Sequence, residues 1–293
     1  MIHIKKTLYL DDLSFSGTMF ETNLHKKSSK CLQIYAESLA NIADIDHESI
    51  LSKKKIIFYS PGTDKIRFYT EKLIPAFSSS RQGLMLLFSN PHPESVIKGM
   101  FHSNPSITSK NFWRYLKMAK IFGLPIDNID GELADAFING TYQSDFLIYF
   151  NCFYSFPSPQ KPDQLKDYFS GDYFNNVLLP RGKERMHSFL NDYPISGIIC
   201  FNQDVFNILR NSQETGNTKI LDKGCLVKDR VTNVVNTPIY YIYPTYWYNP
   251  KRYKDIESKT VSILVKIKKD ILETFQSNES SKKALMPSLE FSN

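Results

Sequence analysis

Four short, nearly continuous apolar runs limit what this chain can fold into. Each holds five to seven residues and is followed by polar or proline-rich sequence: 84–88, 146–150, 195–201 and 239–243. Runs without polar alternation are typical of strands buried on both faces, as in a parallel sheet. Helical stretches separate them, at 111–122, 182–190 and 204–210. We therefore predict an α/β fold, a three-layer α/β/α sandwich around a central, mainly parallel four-stranded sheet.

Most of the chain is assigned to one domain, because 293 residues with 42% hydrophobic residues can bury a full core. The predicted α/β domain spans 51–275 and includes a helix around 64–76 and an amphipathic last helix over 258–275. Residues 1–50, with helical apolar spacing in 30–45, are predicted as a helical extension packed on the same domain. Residues 276–293 are predicted as a flexible tail.

Signals for membrane insertion, secretion and metal binding are missing from the sequence. No apolar stretch approaches the ~20 residues of a membrane helix, and the first residues lack the apolar segment of a secretion signal. The four cysteines are widely spaced and form no CxxC pair, which argues against a zinc knuckle or a disulfide framework. We expect a cytoplasmic protein, a monomer, with no metal and no cofactor.

Positive charge is concentrated in one part of the chain. Residues 51–120 hold 12 Lys and Arg against 3 Asp and Glu, although the whole chain has a net charge of only +6. Such asymmetry favours a polyanionic partner such as DNA. A solvated lysine-rich surface explains the same charge equally well.

The loops that follow the strands indicate where a ligand binds. In a parallel sheet, ligands bind outside the carboxyl ends of the strands. Three of these loops, at 89–94, 151–159 and 243–252, combine prolines with aromatic and amide side chains. They contain neither a carboxylate pair nor a nucleophilic triad. We predict a crevice that stacks a planar heterocycle and reads it with an amide.

Several motifs in these regions resemble the uracil-DNA glycosylase superfamily over roughly residues 50–275. The sequence is most similar to the branch whose first motif is Gly-x-Asn-Pro-Gly. Ser89 replaces the leading Gly, His92-Pro93 follows the Asn-Pro, and Tyr243 replaces the His of the family's His-Pro-Ser loop. The motifs that carry the resemblance are Asn90-Pro91, Gly99-Met100-Phe101, Asn111-Phe112-Trp113-Arg114-Tyr115-Leu116, Phe150-Asn151-Cys152, Gly197-Ile198-Ile199 and Tyr243-Pro244-Thr245.

The resemblance implies a role for each matching residue. Asn90 would position the attacking water, and Tyr243 would donate to O2 of the departing base. Phe101 would stack on the flipped base, Asn151 would read the pyrimidine edge, and His92 would face its C5 position. Each has a structural alternative: a turn residue for Asn90, a core ring for Phe101, and a group bonded only to protein for Asn151 and Tyr243.

Two further groups extend the predicted site. Glu94 and His102 are alternative candidates for assisting the reaction, although a lone His is more often structural. An aromatic and basic segment would wedge into the DNA and contact its phosphates. The alternative for its aromatic residues is that they cover the last helix. The segment consists of Thr245, Tyr246, Trp247, Tyr248, Lys251 and Arg252.

These observations predict a monofunctional DNA glycosylase that hydrolyses the N-glycosidic bond of a flipped-out uracil or modified pyrimidine and leaves an abasic site. The departures in the motifs favour a C5-substituted, hypermodified pyrimidine of viral DNA, and hence a role in antiviral defence. One alternative is a catalytically silent protein that binds DNA or a nucleotide in the same crevice. Another is an unrelated enzyme acting on a small nucleoside or sugar.

Overall fold

The computed structural model describes residues 8–14, 56–59, 65–77, 79–103, 107–123, 131–158, 165–166, 169–211, 216–232, 237–243 and 255–285. The described elements include two β-sheets and six α-helices of six or more residues. No helix among these residues has the length and apolar character needed to cross a membrane.

The first sheet is small and antiparallel. Its strands are β1 (Leu8–Ser14), β2 (Ile57–Tyr59) and β3 (Lys65–Glu71), in the order β1-β3-β2. The prediction of a helix around 64–76 is therefore wrong. Ile66 and Phe68 are buried on either side of the exposed Arg67, and this alternation with a period of two is typical of a strand. Within residues 1–50 the structure describes only this strand, and the helical spacing at 30–45 lies outside the described residues.

The second sheet has five strands and contains all four predicted runs. It comprises β4 (Gln82–Phe88), β5 (Phe146–Cys152), β6 (Ile195–Cys200), β7 (Val227–Arg230) and β8 (Pro238–Tyr241). The order is β5-β4-β6-β8-β7, and the first four strands are mutually parallel. The mostly parallel mixed α/β fold is confirmed. The predicted strand count is wrong, because the antiparallel β7 covers the free edge of β8.

Six α-helices accompany the sheets. They are α1 (Pro93–Lys98), α2 (Ile107–Met118), α3 (Gly131–Asn139), α4 (Leu179–Asp192), α5 (Gln203–Leu209) and α6 (Ile256–Leu285). A helical turn at Gly171–Tyr173 and a π-helical segment at Phe174–Leu178 lead into α4, and a 3-10 helix at Thr218–Lys223 precedes β7. Because α6 continues to Leu285, the tail predicted from residue 276 begins inside a helix.

Helices pack on both faces of the five-stranded sheet. On β5, the Phe150 ring lies 5.9 Å from Trp113 of α2, whereas the neighbouring Tyr149 ring lies 6.1 Å from Phe189 of α4. On β8, the Tyr240 hydroxyl donates to Asp270 of α6. Strand register places Tyr240 in the same row as Phe150, so α2 and α6 share one face and α4 the opposite one.

Gly83 gives a test of the junction between β4 and β6, where the strand register shifts. A Cβ atom at this position would lie 2.1 Å from the Pro194 carbonyl oxygen, a backbone atom that cannot move away cheaply. We expect Gly83→Ala to lower the free energy of unfolding by about 1–3 kcal/mol in urea titrations. Gly123→Ala is the matched control, because its Cβ would meet Gln143 at an ordinary 3.5 Å. Equal stability of the two variants would contradict this packing.

Candidate functional site

The connections of the sheet place a topological switch point at its carboxyl edge, where a crevice is expected. From β4 the chain passes through α1, α2 and α3 to β5 on one side, and from β5 it returns through α4 to β6 on the other side of β4. The helix after β6 is α5, and its Phe206 ring lies 5.7 Å from Tyr241, on the face opposite α2, so the loops after β4 and β6 diverge. Such a switch point is where open α/β sheets bind their ligands.

The loop after β4 is joined to the loop after β5 by a series of hydrogen bonds. The Tyr154 N–H donates to the Ser89 carbonyl at 2.7 Å, and the Ser158 N–H to the Pro91 carbonyl at 2.9 Å. The Asn90 side chain completes the connection: Nδ2 donates to the Ser158 carbonyl at 2.8 Å, and Oδ1 accepts from the Ser89 hydroxyl at 2.9 Å. The Nδ2 atom of Asn90 therefore joins the two loops, whereas the bond to Oδ1 lies within the loop after β4.

His92 caps the helix that follows this loop. Its Nδ1 accepts a hydrogen bond from the Glu94 N–H at 3.3 Å, at the start of α1. Burial lowers the pKa of His92, and the nearby Glu94 carboxylate opposes that shift. The lowered pKa and the accepted hydrogen bond favour a neutral imidazole with its Nδ1 already occupied.

Phe101 and His102 belong to an aromatic cluster beneath the crevice. The Phe101 ring is 2% exposed and lies 5.3 Å from Phe88 and 5.4 Å from Phe150. The His102 ring stacks on Phe112 at 4.3 Å. Burial, with a smaller contribution from His92, lowers the pKa of His102 to about 3. His102 is therefore neutral near pH 7 and does not supply a cation, and Phe101 is packed as a core residue.

Asn151 is the buried amide at the carboxyl end of β5. Its side chain is 4% exposed, and Oδ1 accepts from the Cys152 N–H at 2.9 Å. That bond fixes the orientation of the amide, because a turned amide would place an NH2 group against an N–H donor. No residue in the described ranges accepts a hydrogen bond from Nδ2. Asn151 therefore presents an N–H donor in one fixed orientation.

Tyr243 follows β8, and its side chain is 9% exposed. Its hydroxyl donates to the Asp222 carboxylate in the 3-10 helix. The single hydroxyl proton is therefore engaged by protein in this structure. The predicted DNA-contacting residues Thr245, Tyr246, Trp247, Tyr248, Lys251 and Arg252 lie outside the described residues.

The loop after β6, in which no site residue was predicted, also lies at this edge of the sheet. Asn202 caps α5, because its Oδ1 accepts from the Val205 N–H at 2.9 Å. Asp204, in the first turn, is exposed and lies close enough to Tyr154 that its charge, together with the larger effect of burial, raises the pKa of that phenol. An Asn two residues before an Asp, directly after an apolar run, is the sequence signal that identifies this turn.

Comparison of the sequence with protein-family models and with curated proteins finds no match in either. Within the described residues, no group of three or more His, Cys, Asp or Glu side chains is arranged to hold a metal ion. The candidate site is thus defined by its geometry: the amide of Asn151, the joined loops after β4 and β5, and the turn that carries Asp204.

Proposed function

We propose that this protein is a monofunctional DNA glycosylase that releases a modified pyrimidine, or uracil, and leaves an abasic site. The proposed fold is the three-layer sandwich of the uracil-DNA glycosylase superfamily, with β7 as an addition to its four parallel strands. The protein would act as a monomer on the flipped-out nucleotide, without a metal. A C5-substituted base of viral DNA is the proposed substrate, and antiviral defence the proposed role.

The observation that supports this proposal is the Nδ2 group of Asn151. Asn151 is 4% exposed and no residue in the described ranges accepts from its Nδ2, so this N–H group is available to donate to a bound base. A pyrimidine offers acceptors in plane at O2 and O4 for uracil, or at O2 and N3 for cytosine. A single donor in a fixed orientation can bond to an acceptor of either base. It does not select for the group at the C5 position.

The charge distribution supports a DNA partner. Residues 51–120 hold 12 basic and 3 acidic residues, and α2 lies within this segment. The helix contains Lys110, Arg114 and Lys117 but no acidic residue. All three side chains are exposed, and Arg114 is paired only at the surface with Glu257, at 2.5 Å. Cations on an exposed helix can contact a phosphate backbone, and a surface ion pair is too weak to prevent it.

A specific observation also favours a second candidate, a silent DNA- or nucleotide-binding protein. Asn90 and Tyr243, the two residues predicted to carry the chemistry, are both engaged by protein groups. In a binding protein these contacts would be permanent, and Asn151 would hold the base without hydrolysis. The two candidates differ in whether the N-glycosidic bond breaks.

An assay for alkali-labile sites, which mark abasic positions, distinguishes the candidates. The protein is incubated with DNA duplexes that differ only in the base at one position. We expect cleavage at a C5-substituted pyrimidine, with uracil released equally or more slowly and normal cytosine left intact. Binding should weaken steeply between about 50 and 200 mM salt, because Lys and Arg displace counterions from phosphates. Binding without any abasic site would favour the silent protein, and binding of free nucleosides but not of DNA would favour a small-molecule enzyme. Excision of uracil alone would contradict the proposed substrate.

A further inference from the structure

We propose that Asp204 is the base that activates the attacking water, in the place that the resemblance gives to Asn90. This inference rests on the proposed function and adds a catalytic residue to it. It is drawn from the position of the turn after β6, from the contacts that already occupy Asn90, and from the surroundings of the other carboxylates at the same edge of the sheet.

Backbone hydrogen bonds place Asp204 at the crevice. The Phe201 N–H donates to the Leu87 carbonyl at 3.0 Å, so the loop after β6 leaves the sheet beside the loop after β4. On the other side of that loop, Tyr154 donates its N–H to Ser89 at 2.7 Å. The loop that leads to Asp204 thus lies on one side of the loop after β4 and the loop that carries Tyr154 on the other, and the influence of the Asp204 charge on the Tyr154 phenol agrees with this arrangement.

The amide of Asn90 is poorly suited to activating water. Its NH2 group donates to the Ser158 carbonyl at 2.8 Å, and its oxygen accepts from Ser89 at 2.9 Å. An amide is also not a base near neutral pH, so it can orient a water but cannot take its proton. An exposed carboxylate can do both.

The other described carboxylates near this edge have different surroundings. Asp222 accepts a hydrogen bond from the Tyr243 hydroxyl beyond β8. Glu94 lies in the first turn of α1 beside His92, whose ring accepts a hydrogen bond from the Glu94 N–H. Asp204 is the exposed carboxylate that follows β6, one of the two strands at the switch point.

The proposed step balances without any added reactant. Asp204 takes a proton from water as the water oxygen forms a bond to C1′ of the deoxyribose. The bond between C1′ and the base nitrogen breaks, and its electron pair leaves with the base. The released base is then protonated by solvent, and the sugar keeps the hydroxyl group. Asn151 donates to the base as negative charge develops on it.

Asp204→Asn tests the assignment in single-turnover assays on the DNA that the wild type cleaves. We expect the rate of base release to fall about 100-fold or more, the range for loss of a general base, while DNA affinity changes by no more than a few fold. Asp172→Asn is the matched control: the same change at an exposed residue in the helical lead-in to α4 should leave the rate unchanged. Formate, a small carboxylate, should partly restore Asp204→Ala and not accelerate the wild type.

Each outcome decides the assignment. A near-wild-type rate for Asp204→Asn would overturn the role of Asp204 while leaving the glycosylase proposal in place. An equal loss of rate and affinity would assign Asp204 to binding and also overturn it. If the wild type formed abasic sites on none of the tested DNAs, both the glycosylase proposal and the role of Asp204 would be contradicted. Formate rescue of Asp204→Ala, with Asp172→Asn active, would support the assignment even if one variant were less stable.

Discussion

Asn151→Asp should abolish base release, with at least about a 100-fold loss in single-turnover rate near pH 7. The ionised carboxylate still accepts from the Cys152 N–H, as Oδ1 of Asn151 does at 2.9 Å, so the local backbone is preserved. What is lost is the N–H donor, and the new negative charge would repel the departing anionic base. Loss of one transition-state donor costs about 10²–10³ in rate in related oxyanion sites.

Asn217→Asp provides the control for this change. Its Oδ1 accepts from the Lys219 N–H at 3.1 Å as the cap of the 3-10 helix, a role that Asp performs as well as Asn. We expect this variant to retain its activity, as measured by abasic-site formation. Activity of Asn151→Asp within a few fold of the wild type would show that the Nδ2 group does not read the base, and would leave the site without its recognition residue.

Glu71→Gln should make the protein more stable at neutral pH and flatten the dependence of its stability on pH. Glu71 is 2% exposed, and its Oε2 has no hydrogen-bond partner in the described structure. Burial raises the pKa of this carboxyl well above its usual 4.5. The folded state therefore holds a proton that the unfolded chain releases, so the stability present below pH 4.5 is lost as the pH rises towards the raised value.

The expected slope is up to about 1.4 kcal/mol of unfolding free energy per pH unit, the value for one proton. Glutamine keeps the shape without an ionisable group, so urea titrations at pH 5, 6 and 7 should show a smaller slope than the wild type. Glu184→Gln, at an exposed position of α4, should leave the slope as it is. Parallel pH profiles for the wild type and Glu71→Gln would contradict a buried, protonated Glu71.

The parallel sheet was predictable because the apolar pattern that indicates each strand lies within a short segment of the sequence. A run such as 84–88 has no polar alternation, so it must be covered on both faces, and parallel strands place their following loops at one edge. The burial of Asn151 follows in the same way, since it lies within an apolar strand. The antiparallel β7 was missed because Val227–Arg230 is short and three of its four residues are charged.

The interactions of the site residues were not predictable, because they join parts of the chain that are far apart in sequence. Asn90 bonds to Ser158 and Tyr243 to Asp222, pairs separated by 68 and 21 residues. The sequence marked Asn90, Phe101 and Tyr243 as reactive or stacking groups, whereas the structure engages each with protein atoms. The role proposed for Asp204 depends on the strand order β5-β4-β6, which places the switch point between β4 and β6.

Buried segments and the places where their loops emerge could be predicted, because periodicity and apolar character act on neighbouring residues. Three features required the folded structure: which loops meet, which way the Asn151 amide points, and that His102 is neutral, with its pKa lowered to about 3. The physical reason is that hydrogen bonding and desolvation depend on the atoms surrounding a group, and most of those atoms belong to distant parts of the chain.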